Sequence, residues 1–314
     1  MIGYILKRLA LAVPTLFLVS LAVFFLIRLI PGDPALVMLG EGADPAAIGA
    51  LHIELGLDKP IWVQFGTWLG HVATGDLGTS IVTGEPVGRL ILDRFQLTAT
   101  VVLVAVAFAT LIAIGFGMIA AWRRNRRIDI AVTGMASLVL AIPSFWLGLV
   151  LLLLFGVKLR WLPVVGYVPF SESASAALLF LVLPIATLTI SESGVLTRMM
   201  RSSAIDVLRL DYVTHARAKG LSEATVLRRH VFPNAFAPTL TLVGLTLGHL
   251  LGGVAVVETV FTLPGLGRLM VDSILARDYP VIQGCLLFTA TIYVVVNLIV
   301  DLLYPLFDPR VTAS

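Results

Sequence analysis

Charge is scarce in this sequence. Of 314 residues only 13% are Asp, Glu, Lys or Arg, while 58% are hydrophobic. A soluble domain of this size needs far more charge to cover its surface, so a water-soluble enzyme or carrier is excluded. Cysteine is nearly absent: Cys285 stands alone inside an apolar run, which leaves no disulfide framework and no thiolate metal site. Catalytic motifs are missing too. There is no G-x-x-x-x-G-K-[ST] stretch to cradle a nucleotide and no H-E-x-x-H pair. His52, His71, His215, His230 and His249 lack metal-ligand spacing. Ser80 and Ser193 are separated from any histidine by topology or depth, so an intramembrane hydrolase has little support. The net charge is only +3, and the basic residues flank apolar runs instead of tiling one face, which argues against nucleic acid. If this chain moves something uphill, the energy comes from a partner or an ion gradient.

What the sequence does have is long apolar runs, with a mean hydropathy of +0.99. A helix needs about 20 apolar residues to cross a bilayer. Six segments qualify: Leu9–Ile30, Leu97–Ala121, Ile130–Gly156, Ala176–Thr197, Phe236–Val257 and Pro280–Tyr304. The expected fold is an all-α polytopic membrane protein with six transmembrane helices. The first run follows Lys7 and Arg8 and runs into PGDP without a small-residue cleavage site, so it reads as an uncleaved span. Orientation follows Lys and Arg. With the N-terminus inside, fourteen of the 22 fall in inner segments and seven in outer ones, so both termini are expected in the cytoplasm. WRRNRR at 122–127 is the strongest single marker.

These runs divide the chain into 1–30 (N-terminus and first span), 31–96 (an extracytoplasmic helical insertion) and 97–314 (a core carrying the other spans). In the insertion, Asp44 and Pro45 make an N-cap and first-turn pair, and Gly56 ends that helix. Trp62, Phe65, Trp68, Leu69 and Val72 then recur at helical spacing, a stripe for the membrane surface or for packing on the spans. Asp33, Glu41, Asp44, Glu54, Asp58, Asp76, Glu85 and Asp93 outnumber the bases of the insertion. They form either a solvated face or a docking surface for an extracytoplasmic partner.

Ionisable and polar residues at membrane depth are functional candidates by default. Glu192, His249, Glu258 and Asn297 are the candidates for a pathway or gate, against a salt bridge to Arg198 for Glu192 and an interfacial position for Glu258. Arg28 and Asp301 belong at the interfaces. Gly244, Gly248 and Gly252 share one helix face that admits close packing, within this chain or against another. Pro143, Pro184 and Pro238 permit bending.

Between spans four and five, at 198–235, the sequence turns basic and amphipathic. In YVTHARAKGLSEATVLRRHVFPN, Val213, Ala216, Gly220, Ala224, Leu227 and Val231 fall at helical spacing. Gly220 suits a left-handed turn between two short helices, Ser222 can cap the second, and Pro233 marks entry to the next span. Such a segment can seat in a partner's groove or merely anchor at the membrane surface.

These residues also carry a resemblance. DYVTHARAKGL followed by LRRHVFPNA is similar to the permease signature of ATP-binding-cassette importers: E-A-A, three residues, glycine, nine residues, I-x-L-P. Ala216, Gly220 and Pro233 stand at matching positions. Thr214, His215, His230 and Phe232 replace other letters. ARAKGL resembles the core of the dipeptide, oligopeptide and nickel branch. So do IPGDP at 30–34, GLDKP at 56–60, GDLGTS at 75–80, IPSFWLG at 142–148, WLPVVGY at 161–167, the stretch at 250–284 and VDLLYPLFDPR at 300–310.

The resemblance implies the first of two non-identical permease subunits in a bacterial inner membrane. It would work with a second permease, two ATPase subunits that bind ATP and Mg, and an extracytoplasmic binding protein, with no cofactor in this chain. The segment at 211–234 would be the coupling helix, with Asp211, Tyr212, Ala216, Ala218, Lys219, Gly220, Glu223, Pro233 and Asn234 as its contact and turn residues and Glu223 meeting a basic rim on the ATPase. The likeness of the insertion and of AAWRRNRRID to glutathione-type permeases puts short or γ-glutamyl peptides ahead of nickel as cargo. A secondary transporter is the competing class. It would show inverted repeats and a charged pair at mid-depth, and the sequence displays neither.

Overall fold

In lipid every backbone N–H and C=O must be satisfied within its own segment, so apolar runs of spanning length become helices. The computed structural model describes residues 2–29, 34–40, 42–54, 56–164 and 166–303. Ile30 to Asp33 of IPGDP, Glu41, and the chain from 304 onward lie outside the described residues. The helices are α1 (Ile2–Leu29), α2 (Pro34–Leu39), α3 (Pro45–Glu54), α4 (Ile61–Ala73), α5 (Val87–Trp122), α6 (Arg127–Ala141), α7 (Ser144–Leu151), α8 (Ala174–Leu208), α9 (Asp211–Ala218), α10 (Glu223–Val226), α11 (Phe232–Leu251), α12 (Ala255–Val260), α13 (Leu266–Leu275) and α14 (Tyr279–Leu303). Two π-helical turns, Leu152–Lys158 and Leu227–Val231, extend α7 and α10.

Among the described residues five helical stretches are long and apolar enough to cross a membrane, and there are six if the bent pair α6–α7 is counted as one span. The third apolar run bends at one of the prolines expected to permit it: the helix breaks by 98° between Ala141 and Ser144. The cause is Pro143, which lacks an N–H and biases Ile142 to an extended conformation, observed at φ −94° and ψ 120°. The fifth run, expected over Phe236–Val257, is corrected at its end. Its helix stops at Leu251, and Gly253 at φ +149° turns the chain before α12. Residues 255–260 therefore form a separate short helix.

The two longest helices outrun their apolar cores. At about 1.5 Å per residue the 36 residues of α5 reach about 54 Å and the 35 of α8 about 52 Å, well beyond the roughly 30 Å of bilayer hydrocarbon. Their ends therefore stand clear of the membrane. One end of the bundle carries the elbow formed by α9, α10 and the start of α11. The other carries the insertion and the segment from α12 to α13.

The core lies where α5, α8 and α11 meet. Val101, Val102 and Ala105 of α5 pack with Leu181 and Leu188 of α8 and Leu250 of α11. Close approach is built into the glycines. A Cβ at Gly248 would come within 2.7 Å of the Tyr293 ring, one at Gly252 within 2.9 Å of the Thr289 methyl, and one at Gly244 would overlap Val300. The small-residue face thus packs inside the chain, on α14. Helix α1 is peripheral. It is tied to α14 by Arg8–Asp301 at 2.9 Å and to α4 by an aromatic group, Phe24 with Phe65 and Trp68. The aromatic stripe of the insertion therefore packs on the first span.

Candidate functional site

The elbow is held by apolar residues that face the bundle. Val213, Ala216, Val226, Val231 and Ala235 are buried against Met118 and Ala121 at the end of α5 and Met200, Ala204 and Ile205 of α8. Gly220 and Ala224, read from spacing as part of the apolar face, are exposed. The left-handed turn shifts the phase, and Val226 takes the buried place.

Gly220 has φ +78° and open space around its α-carbon, so the backbone conformation rather than crowding calls for glycine here. The Ser222 Oγ accepts the Thr225 N–H and caps α10. Across the turn, Arg217 donates to Glu223 through Nε at 2.8 Å and Nη2 at 3.3 Å. Glu223 therefore has an internal partner. Tyr212 Oη and Asn234 Nδ2 both donate to the His230 carbonyl, each at 3.1 Å, which fastens α9 and α11 to the π-helical turn. Asp211, Tyr212, His215, Ala218, Lys219 and Leu221 are exposed. Pro233 is half-buried in the first turn of α11, where a missing N–H costs no helical bond.

Behind the elbow lies an ion pair that the sequence does not announce. Arg201 of α8 donates to both carboxylate oxygens of Asp129, at 2.5 and 2.8 Å, and the Asn125 N–H donates to the same carboxylate at 2.8 Å. Asp129 is 3% exposed. The pair binds the WRRNRR turn to α8 one residue beyond Met200, and a Cβ at Gly117 of α5 would sit 2.8 Å from the Met200 side chain. Thr239 of α11 also donates to the Met200 sulfur at 3.5 Å. The elbow, α5, α8 and α11 therefore meet around one residue, Met200. Asp129 lies two residues beyond the last arginine of WRRNRR, and nothing in that local sequence points to a partner 72 positions away.

The membrane-depth candidates separate into groups. Glu192 on α8 is half-buried and lies within electrostatic range of His249 of α11, without a hydrogen bond or ion pair between them among the described residues. Asn297 donates to the Tyr293 carbonyl at 2.9 Å, within its own helix. Glu258 is walled off at 2% exposure. Its carboxylate accepts from Thr98 Oγ1 at 2.6 Å and from the Arg268 N–H at 2.9 Å, while Thr98 accepts the Leu266 N–H at 2.9 Å. Burial pushes the Glu258 carboxyl above the usual carboxylate range, and these donors only partly pull it back. The carboxylate seats on the first turn of α13, where helix N–H groups point at it, and a Cβ at Gly265 would overlap it. It joins the start of α5 to α13 and faces protein on every side.

A second latch joins the insertion to the core. Ser80 donates to Asp278 at 2.5 Å, and the Ile81 and Val82 N–H groups donate to the same carboxylate at 3.2 and 3.4 Å. Two of the stretches that carry the family resemblance, GDLGTS and the one ending near 284, thus meet in space.

This is a polytopic helical membrane protein with an exposed elbow wired into its bundle. The chain belongs to the family described as binding-protein-dependent transport system inner membrane component, whose model matches residues 113–313; the N-terminal model of the same membrane components matches residues 1–104. It is 43% identical over 311 residues to a putative peptide transport system permease protein of Brucella suis biovar 1 (strain 1330), covering 99% of both chains. It is 42% identical over 311 residues, again covering 99% of both, to the glutathione transport system permease protein GsiC of Salmonella choleraesuis (strain SC-B67). Among solved structures, an amino acid ABC transporter aligns with 71% of this chain and 94% of its own at TM-score 0.48 and 19% identity.

Proposed function

We propose that this chain is one of two permease subunits of an ATP-driven importer for short peptides, including γ-glutamyl peptides such as glutathione. The observation that carries the reading is the elbow at 211–234, buried on its inner face against α5, α8 and α11 and exposed along Asp211, Tyr212, His215, Ala218 and Lys219. In this reading it seats in a groove of an ATPase subunit and passes nucleotide-driven closure to the spans as a rigid-body push. Both termini lie in the cytoplasm, following the Lys and Arg bias. A second permease completes the pathway, and an extracytoplasmic binding protein delivers cargo to the face bearing the insertion. ATP and Mg belong to the ATPase subunits, and this chain performs no catalysis. The cargo rests on what the relatives are named for, with nickel as the alternative solute of the branch.

Co-purification of tagged chain with products of neighbouring reading frames, followed by ATPase assay with binding protein, tests the reading. Stimulation by di- or tripeptides, glutathione included, is the expected result. One observation favours a second reading: Glu192 and His249 lie within electrostatic range of each other on neighbouring helices, and a carboxylate near an imidazole at membrane depth is a feature an ion-coupled carrier would use. Transport by the lone chain in proteoliposomes under a proton gradient would establish that reading and remove the first.

A further inference from the structure

A cavity of about 480 Å³ lies where the outer end of α1, the insertion and the first turns of α14 meet. Phe24, Ile27, Trp68 and Leu77 supply apolar wall, and Arg28 and Lys59 supply positive charge. Arg28 stacks on the Phe24 ring at 3.7 Å and donates to Gln64 at 2.6 Å, which holds the guanidinium in place; among the described residues it has no carboxylate partner. Asp76, the acid of the lining, accepts the Gly78 N–H at 2.9 Å and is turned onto its own loop.

Deep in the wall, two polar atoms lack any hydrogen-bond partner: Tyr279 Oη and Gln283 Nε2. Tyr279 is only 6% exposed. An orphaned buried donor costs free energy, so two in one cavity that is also lined by a guanidinium without a carboxylate partner among the described residues point to an absent acceptor. The site also has an open apolar flank. Leu26 and Leu29 on α1 and Trp62 on α4 stay exposed, at the level where a span leaves the hydrocarbon and aromatic and basic side chains meet headgroups. A free anion would use the donors and leave the apolar wall empty.

We propose that this cavity is a binding site for an anionic phospholipid, its phosphate between Arg28 and Lys59, its glycerol oxygens on Tyr279 and Gln283, and its acyl chains along α1. Bound there, the lipid fills the gap between a peripheral α1 and the core and fixes the insertion over the spans. The inference is independent of the cargo.

The test uses the complex purified with its partner subunits, delipidated in detergent, and titrated with phosphatidylglycerol, phosphatidylcholine or inorganic phosphate while the thermal midpoint is read. Phosphatidylglycerol raises the midpoint by about 3 °C or more; phosphatidylcholine and inorganic phosphate do not. Arg28→Gln combined with Lys59→Gln abolishes that rise. Because Arg28 also braces α1, Tyr279→Phe serves as the second variant. It removes an unpartnered hydroxyl, leaves the lipid-free midpoint unchanged or higher, and weakens phosphatidylglycerol binding by roughly tenfold. Equal shifts from both lipids, a shift reproduced by inorganic phosphate, or an unaltered response in both variants would overturn the proposal.

Discussion

Arg217 and Glu223 clasp each other across the left-handed turn at Gly220, through two hydrogen bonds at 2.8 and 3.3 Å. The clasp braces the angle between α9 and α10, as the proposed rigid-body push requires. It is more than a third exposed on both sides, and screening holds its contribution to about 0.5 kcal/mol. Arg217→Ala is therefore expected to leave assembly intact while lowering the amount of cargo moved per ATP hydrolysed. The charge-swapped double variant Arg217→Glu with Glu223→Arg should recover much of that ratio. Paired transport and ATPase assays on the reconstituted complex check this.

Gly220→Leu acts on the same turn by another route. With φ at +78°, a side chain adds strain of about 1–2 kcal/mol, and the open space around the residue removes any clash as an explanation. The expected outcome is ATP turnover without transport in a complex that still purifies. Wild-type transport in that variant would remove the turn from the coupling path.

The Asp129–Arg201 pair should behave differently, because Asp129 is buried. Breaking one side leaves an uncompensated charge, at a cost of about 3–5 kcal/mol. Asp129→Leu is expected to lower the yield of folded complex sharply. Asp129→Leu with Arg201→Leu should restore much of it, since well-packed apolar replacements of buried pairs are often neutral. Size-exclusion profiles of the single and double variants make the comparison.

Glu258→Ala strands Thr98 Oγ1 and the Arg268 N–H, at about 1–3 kcal/mol for each group. The thermal midpoint of the complex is expected to fall. The raised folded-state pKa has its own sign: protonation is favoured in the fold, so this group's contribution is complete below the unfolded carboxyl pKa and is lost as pH rises through the folded value. Stability of the parent therefore declines with rising pH in that window, and the decline is absent in Glu258→Ala. A midpoint–pH series on both proteins measures it.

The sequence shows the spans because long apolar runs have no other use, and it shows the elbow because basic amphipathic sequence between two spans is conspicuous. It marks Pro143, Pro184 and Pro238 as places where bending is allowed, but not which of them breaks the helix or by how much. Hydropathy stays high through IPSFW and through LLGGVAVV, so the 98° break at Pro143 and the turn at Gly252–Gly253 leave no trace in a window average. Long-range pairs are equally silent. Asp129 meets Arg201 across 72 positions and Ser80 meets Asp278 across 198, and neither has a local pattern. Within the elbow, spacing identified Val213 and Ala216 but carried the helical phase across Gly220, where the left-handed turn resets it.

The central claim is that the exposed face of the elbow contacts an ATPase subunit. Ala218→Cys places a thiol on that face, and the chain's own Cys285 is buried and silent to a cross-linker. In a transport-competent complex, Ala218→Cys should cross-link to the co-purified ATPase, with a yield that changes on adding ATP. Val82→Cys, exposed on the insertion at the opposite end, should not. Failure of Ala218→Cys to reach any ATPase subunit while transport persists would contradict the account.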